Sequence, residues 1–393
     1  MKNIKTVLAA ILCAGCVIFT GCGDDANVSS DVKNVSTEQD ALTEKDKEEQ
    51  KDASKTNPSA GNVEENKDTE DDTLDGEEEN SENSDEPKAF INGLTGIETT
   101  EELAGTRPVA IMINNLKQAL PQQGITEADI IYEVPAEGGI TRLLCLYTDY
   151  TKLPETGSVR SSRDYYIDLS DAHDAIYVHC GTSPQAKAVL DERDTDNMDG
   201  IYFDTPFYRN KTRQKNMGYE HSLMTTGELL AEGIRIKGYR TTSDAKQPLS
   251  FYPFDCLLES GLEANYAKLV FSPYQTVELE YDEESGLYLK KQYGKEHIDS
   301  NNNIQLSFQN AVVLFCNQGM IPGDDAGRIY VNFYGSGDGY FLSNGEYKKI
   351  KWYKESRTSS YTLYEEDGTT ELLLNPGKSY IAIAPMSATF TVK

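Results

Sequence analysis

SSRDYYIDLSDAHDAIYVHCGTSPQAKAVLDER (Ser161–Arg193) carries a helix, a strand and a second helix in 33 residues. The first part reads as helical, with Ser161 as N-cap and Asp164 three residues on, a variant of the capping box. AIYVHC (Ala175–Cys180) is an apolar strand. Ser183 and Pro184 then suit the N-cap and first turn of the next helix. Outward from this stretch the alternation continues. RPVAIMIN (Arg107–Asn114) and ITRLLCLYT (Ile140–Thr148) read as strands, and TTGELLAEGIRI (Thr225–Ile236) as a helix. Such alternation predicts a sheet with covering helices.

From about Pro248 the pattern changes to short β-type runs separated by turn residues. KLVFSP (Lys268–Pro273), TVELEYD (Thr276–Asp282), GLYLKK (Gly286–Lys291), AVVLFC (Ala311–Cys316) and SYIAIA (Ser379–Ala384) are examples. This half is compatible with a barrel, a sandwich or an extension of the first sheet. Trp352, the only tryptophan, is expected in a core. The reading is α+β: an N-terminal α/β-type domain over 89–247 with a mixed sheet and helices, then a β-rich C-terminal domain over 248–393.

The first 22 residues read as an export signal. Lys2 and Lys5 precede an apolar run of 14 residues, Val7–Thr20, too short to span a bilayer. The run ends in FTGC, which resembles a lipoprotein cleavage box with Cys22 as the lipid-bearing residue; Cys16 is the rival site. The expected location is the outer face of the cytoplasmic membrane, with the lipid as the membrane contact. Residues 23–88 contain 23 Asp and Glu against 7 Lys, a net −16 of the chain's −28. Their low complexity predicts a disordered acidic linker with a reach of about 45 Å. The remainder is only mildly acidic. No basic face exists for nucleic acid, which is excluded as a partner.

Cys145, Cys180, Cys256 and Cys316 are expected as buried thiols, with two disulfides as the alternative in an exported chain. Their spacing gives no zinc pattern. No GxSxG, HExxH or P-loop occurs in the folded part, so neither a metal nor a cofactor is assigned.

Polar residues gather instead where apolar strands begin or end, the position at which α/β sheets collect ligands. Asn114 and Asn115 follow RPVAIMI. Glu133, Glu137, Gly138, Gly139 and Arg142 lie in YEVPAEGGITR (Tyr132–Arg142). Arg160, Ser161 and Arg163 flank the helix start, where free amides and the helix dipole favour anions. His179 and Ser183 stand between strand and helix, and His221 precedes another helix. The arginines either grip an external anion or pair with internal acids such as Asp164, Asp168 or Glu137.

These stretches resemble the YerB-like lipoproteins, a family of bacterial surface proteins built on a domain of unknown function. The resemblance runs from Ile91 to Pro385 and rests on RPVAIMINN (Arg107–Asn115), ADIIYEVPAEGGITRLL (Ala128–Leu144), GSVRSSRDYYIDL (Gly157–Leu169), DAIYVHCGTSP (Asp174–Pro184), NGEYKKIKW (Asn344–Trp352) and LNPGKSYIAIAP (Leu374–Pro385). Positions Glu133, Glu137, Arg142, Arg160, Arg163 and His179 match. The loop NNLKQALPQQG departs: Leu116 and Leu120 stand where members tend to carry His and Arg. Ser158 replaces a usual Pro, and Thr182 a usual Gly. The resemblance implies a lipid-anchored, two-domain envelope protein without an established activity.

The expected function is binding of an anionic envelope component or an envelope protein, such as a cell-wall polymer or cell-wall enzyme, in support of cell-wall assembly. Arg142, Arg160, Ser161, Arg163, His179, Ser183, Asn114 and Asn115 form the expected ligand set. One alternative is a hydrolase or transferase on a cell-wall glycan or peptide, with Glu133, Glu137 and His179 as acid/base residues. A second is a scaffold without a small-molecule site.

Overall fold

Interior strands of the first half are apolar on both sides, and the reason is visible in what covers them. The computed structural model describes residues 89–393; the signal, linker and lipidation expectations lie outside them. Its central feature is a 12-stranded mixed sheet. The strands that build it from the first half are β1 (Val109–Asn114), β2 (Ile130–Pro135), β3 (Thr141–Tyr147), β4 (Ile176–His179) and β5 (Asn197–Asp199). All residues of β1, β2, β3 and β4 are buried. Val109, Ile111 and Ile113 face one core; Ala110 and Met112 face the other. Strands covered on both faces read as continuous apolar runs.

Helices α1 (Asp164–Ala172) and α2 (Pro184–Glu192) flank β4 in sequence. Tyr165, Tyr166, Ile167 and Leu169 of α1 enter the core beside Ala110, Met112 and Leu144. The Tyr166 hydroxyl lies 2.7 and 2.8 Å from the carbonyls of Val134 and Arg142, tying α1 to β2 and β3. Helices α3 (Lys211–Met217) and α4 (Gly227–Lys237) follow; α4 sets Leu230 and Ile234 into the opposite core.

The second half supplies β6 (Tyr266–Ser272), β7 (Gln275–Asp282), β8 (Leu287–Gln292), β9 (Asn310–Met320), β10 (Gly335–Ser343), β11 (Glu346–Lys354), β12 (Tyr361–Glu365), β13 (Ser379–Pro385) and β14 (Thr389–Val392). It extends the first sheet. The large sheet runs β11–β10–β9–β13–β2–β3–β1–β4–β5, and β12 pairs with β11. The join between halves is the parallel pair β13–β2, with Ser379 opposite Ile130 and Ala382 opposite Glu133. A second, six-stranded sheet contains β8–β7–β6–β14. Its inward residues Leu269, Val277, Leu279 and Tyr288 share a core with Ile111, Ile131 and Leu143. Trp352 is buried against Phe333 at 4.6 Å between ring centroids. The described residues form one compact unit.

Local capping differs from expectation at one end and agrees at another. The N-cap of α1 is Arg163, without a side-chain cap, rather than Ser161. Ser162 is held extended by a bridge to Thr182, its N–H bonded to Gly181 O, so the helix starts later. Ser183 caps α2, its Oγ accepting from Ala186 N at 3.1 Å. Ser183→Ala is expected to cost about 1 kcal/mol, checked by urea unfolding against the parent chain.

Candidate functional site

The turn from β2 to β3 places Glu137. Gly138 and Gly139 both have positive φ, 71° and 73°, which a side chain would strain. The extended segment Gly157–Arg163 crosses the end of β1, with Asn114 N donating to Ser158 O and Arg160 N to Met112 O. It carries Arg160, Ser161 and Arg163 to the same place. Segment 208–221 closes the far side with Arg209, Tyr219 and Glu220. Together they line an open cleft of about 340 Å³.

Four guanidiniums and two carboxylates meet there. Arg163 forks onto Glu137, Nε to Oε2 at 3.0 Å and Nη2 to Oε1. Arg142 Nη2 donates to the same Oε1 at 2.8 Å, and its Nη1 to Ser161 O at 2.5 Å. Burial alone would push the Glu137 carboxyl up, but Arg142 and Arg163 outweigh it and hold it below its ordinary value. Arg160 reaches Glu220 Oε2 at 3.4 Å. Arg209 stacks on the Tyr219 ring at 3.9 Å and donates to Tyr219 O at 2.7 Å. The guanidiniums outnumber the carboxylates, so the cleft has a positive excess suited to an anion. A larger hollow of about 830 Å³ beside Ile91, Phe251 and Phe254 has only Glu98, Lys246 and Asp255 as charged lining.

Glu133 and Asn115 lie elsewhere, in an enclosed polar network between the halves. Glu133 Oε1 accepts from Asn115 Nδ2 at 3.1 Å, Thr141 Oγ1 at 2.7 Å and Gln275 Nε2 at 2.7 Å. Its Oε2 accepts from Tyr380 OH at 3.0 Å and meets Lys290 Nζ at 3.2 Å. Glu133 and Lys290 are both fully buried. Burial pushes the Lys290 ammonium down, and Glu133 opposes that shift. Lys290 also contacts Gln292 Oε1 and His297 Nδ1, each at 3.0 Å. Gln122 links His297 Nε2 to Asn115 Oδ1. This network holds β2 to β8; Glu133, Asn115 and Lys290 are enclosed in it, while Gln292 and His297 also line a separate hollow of about 550 Å³ beside Lys117 and Tyr293.

The remaining expected residues are also accounted for. His179 is fully buried, near Gly181 O and Asn197 Oδ1 at 3.1 and 3.2 Å, and burial pushes its imidazole below the ordinary value against the opposing pull of Asp199. Ser183 is occupied as a cap. Asn114 Nδ2 meets His221 Nδ1 at 2.8 Å. Cys145 and Cys316 are buried thiols; Cys180, at the cleft, and Cys256 are half-buried. Among the described residues no cluster of His, Cys, Asp and Glu has metal-binding geometry, and no helix is long and apolar enough to cross a membrane. Arg209, Tyr219, Glu220 and Lys290 were not singled out from sequence. Arg209 and Glu220 lie in a stretch without hydrophobic periodicity, and Lys290 sits on the buried side of a strand whose leucines face outward.

A two-part mixed sheet with a polar cleft at its strand ends defines an α+β protein of a recognisable family. The chain belongs to the DUF3048 family: residues 94–240 match the model described as "Protein of unknown function (DUF3048) N-terminal domain", and residues 267–381 match the C-terminal domain model. It is 31% identical over 299 residues to the Bacillus subtilis (strain 168) protein named "Putative lipoprotein YerB", covering 74% of this chain and 85% of that one. It is also similar to the crystal structure of YerB from Bacillus subtilis, with TM-score 0.67, 28% identity, and coverage of 77% of this chain and 99% of that one.

Proposed function

We propose that this protein is held by lipid at Cys22 on the outer face of the cytoplasmic membrane. Its arginine cleft binds an anionic group of an envelope component or envelope protein, and so supports or regulates cell-wall assembly. The observation that carries the reading is the open cleft in which Arg142, Arg160, Arg163 and Arg209 face only Glu137 and Glu220. The lipoprotein name of the Bacillus relative supports the anchoring. Of the three acid/base candidates only Glu137 reaches the cleft, and two arginines clamp it, so no hydrolase reading is advanced.

The test is thermal shift of residues 89–393 with muropeptides, teichoic-acid fragments and sugar phosphates. A bound probe at a hundred times its Kd stabilises by about 2.7 kcal/mol. Arg160 has one exposed carboxylate partner, so Arg160→Glu is expected to melt with the parent yet lose the ligand shift. A shift that survives in Arg160→Glu, or no shift with any probe, sinks the reading. The second outcome leaves the scaffold alternative.

A further inference from the structure

The cleft carries its own carboxylates, and it holds them unequally. Glu137 is clamped between two nearly enclosed arginines. Glu220 has a side chain 71% exposed and meets Arg160 through one side-chain contact of 3.4 Å. An exposed pair of that kind contributes little, so another anion can take its place at small cost. The neighbouring Tyr219 is 61% exposed. Arg209 covers one face of its ring at 3.9 Å, which leaves the other face to solvent at the rim. The turn that bears both residues stays fixed without the Glu220 carboxylate. Its carbonyls accept from Arg209 at Tyr219 (2.7 Å), from Arg160 at Glu220 (3.5 Å) and from Arg213 at His221 (2.9 Å). An exchangeable anion seat therefore sits beside a rigid aromatic platform.

We propose that the cleft takes a saccharide bearing a carboxylate or phosphate. Its anion displaces the Glu220 carboxylate from Arg160, and its ring packs on the free face of Tyr219. The proposal rests on the cleft being the ligand site, and narrows what that ligand is. A rigid, amphipathic aromatic side chain gives contact area with little loss of freedom, and the guanidinium fork supplies the charged bonds.

The experiment is calorimetric titration of residues 89–393 with N-acetylmuramic acid, glucosamine 6-phosphate, N-acetylglucosamine and inorganic phosphate. Melting curves establish that each variant is folded. At least one anionic sugar is expected to bind about ten-fold tighter than the neutral sugar or inorganic phosphate. Which of the two binds distinguishes carboxylate from phosphate. Glu220→Gln is expected to raise that affinity about two- to five-fold, and Tyr219→Ala to remove the preference for sugar. Inorganic phosphate binding as tightly as the sugars, with Tyr219→Ala silent, overturns the saccharide while the anion cleft stands. No gain in Glu220→Gln overturns the displacement. No anion bound by parent or Glu220→Gln overturns both this proposal and the reading beneath it.

Discussion

Glu133→Gln is expected to cost the fold about 3–5 kcal/mol, because it leaves the Lys290 ammonium buried and unpaired. The carboxylate has five partners, drawn from β3, β7, β8, β13 and the end of β1. No water-facing route relieves the loss, since both charges are enclosed. Lys290→Met should cost less than Glu133→Gln, because the carboxylate loses its counter-charge but keeps hydrogen bonds from Asn115, Thr141, Gln275 and Tyr380. The double variant removes both charges and is expected to be more stable than the sum of the single effects implies, by about 2 kcal/mol or more. Urea unfolding followed by far-UV circular dichroism measures all three. Additive effects would mean that the two groups are not a coupled pair.

Stability is expected to fall as pH drops from about 6.5 toward 4. The four histidines of the described chain all have imidazoles held below the ordinary value, burial being the first cause in each case. The His173 imidazole is pushed down to about 4 from 6.5. It is fully buried between the Tyr132 hydroxyl and Gln247 Oε1, each at 2.7 Å, with the Lys354 charge further opposing protonation. Below pH 6.5 the unfolded chain takes up protons that the folded chain refuses. The stabilisation is therefore complete above 6.5 and is lost on the way down to 4, up to about 3 kcal/mol from His173. Glu137 adds to the loss only lower, as pH falls below its ordinary 4.5 toward its depressed folded value. Unfolding free energies at half-unit steps of pH give the slope, which His173→Gln should flatten. A flat profile from 6.5 to 4 in the parent would show that these imidazoles are not held neutral.

The apolar runs of β1, β3 and β4 made those strands readable, because both of their faces are buried; β2 did not read as a strand, since IIYEVP carries Glu133 and ends in Pro135. The extension of one sheet through both halves was only one of three options, since strand pairing across hundreds of residues leaves no local mark. Glu137, Arg142, Arg160, Ser161 and Arg163 do converge. Glu133 looked equivalent to Glu137 in sequence, four residues away. Yet its place inside β2 turns it inward, while the two glycines after Glu137 bring that residue to the surface. Lys290 was obscured by its own strand. In GLYLKK the leucines suggest the buried side, but Tyr288, Lys290 and Gln292 face inward. An interior that is itself polar there inverts the usual alternation.

The placement of β13 also governs when the molecule can be finished. Its residues enter between β9 and β2, so that Ser379 meets a partner at Ile130, some 249 positions earlier. Contacts that distant in the chain make folding slow. Until those last strands are made, β2 has no neighbour on its β13 side, so the two halves of the large sheet stay unjoined for most of the chain's synthesis.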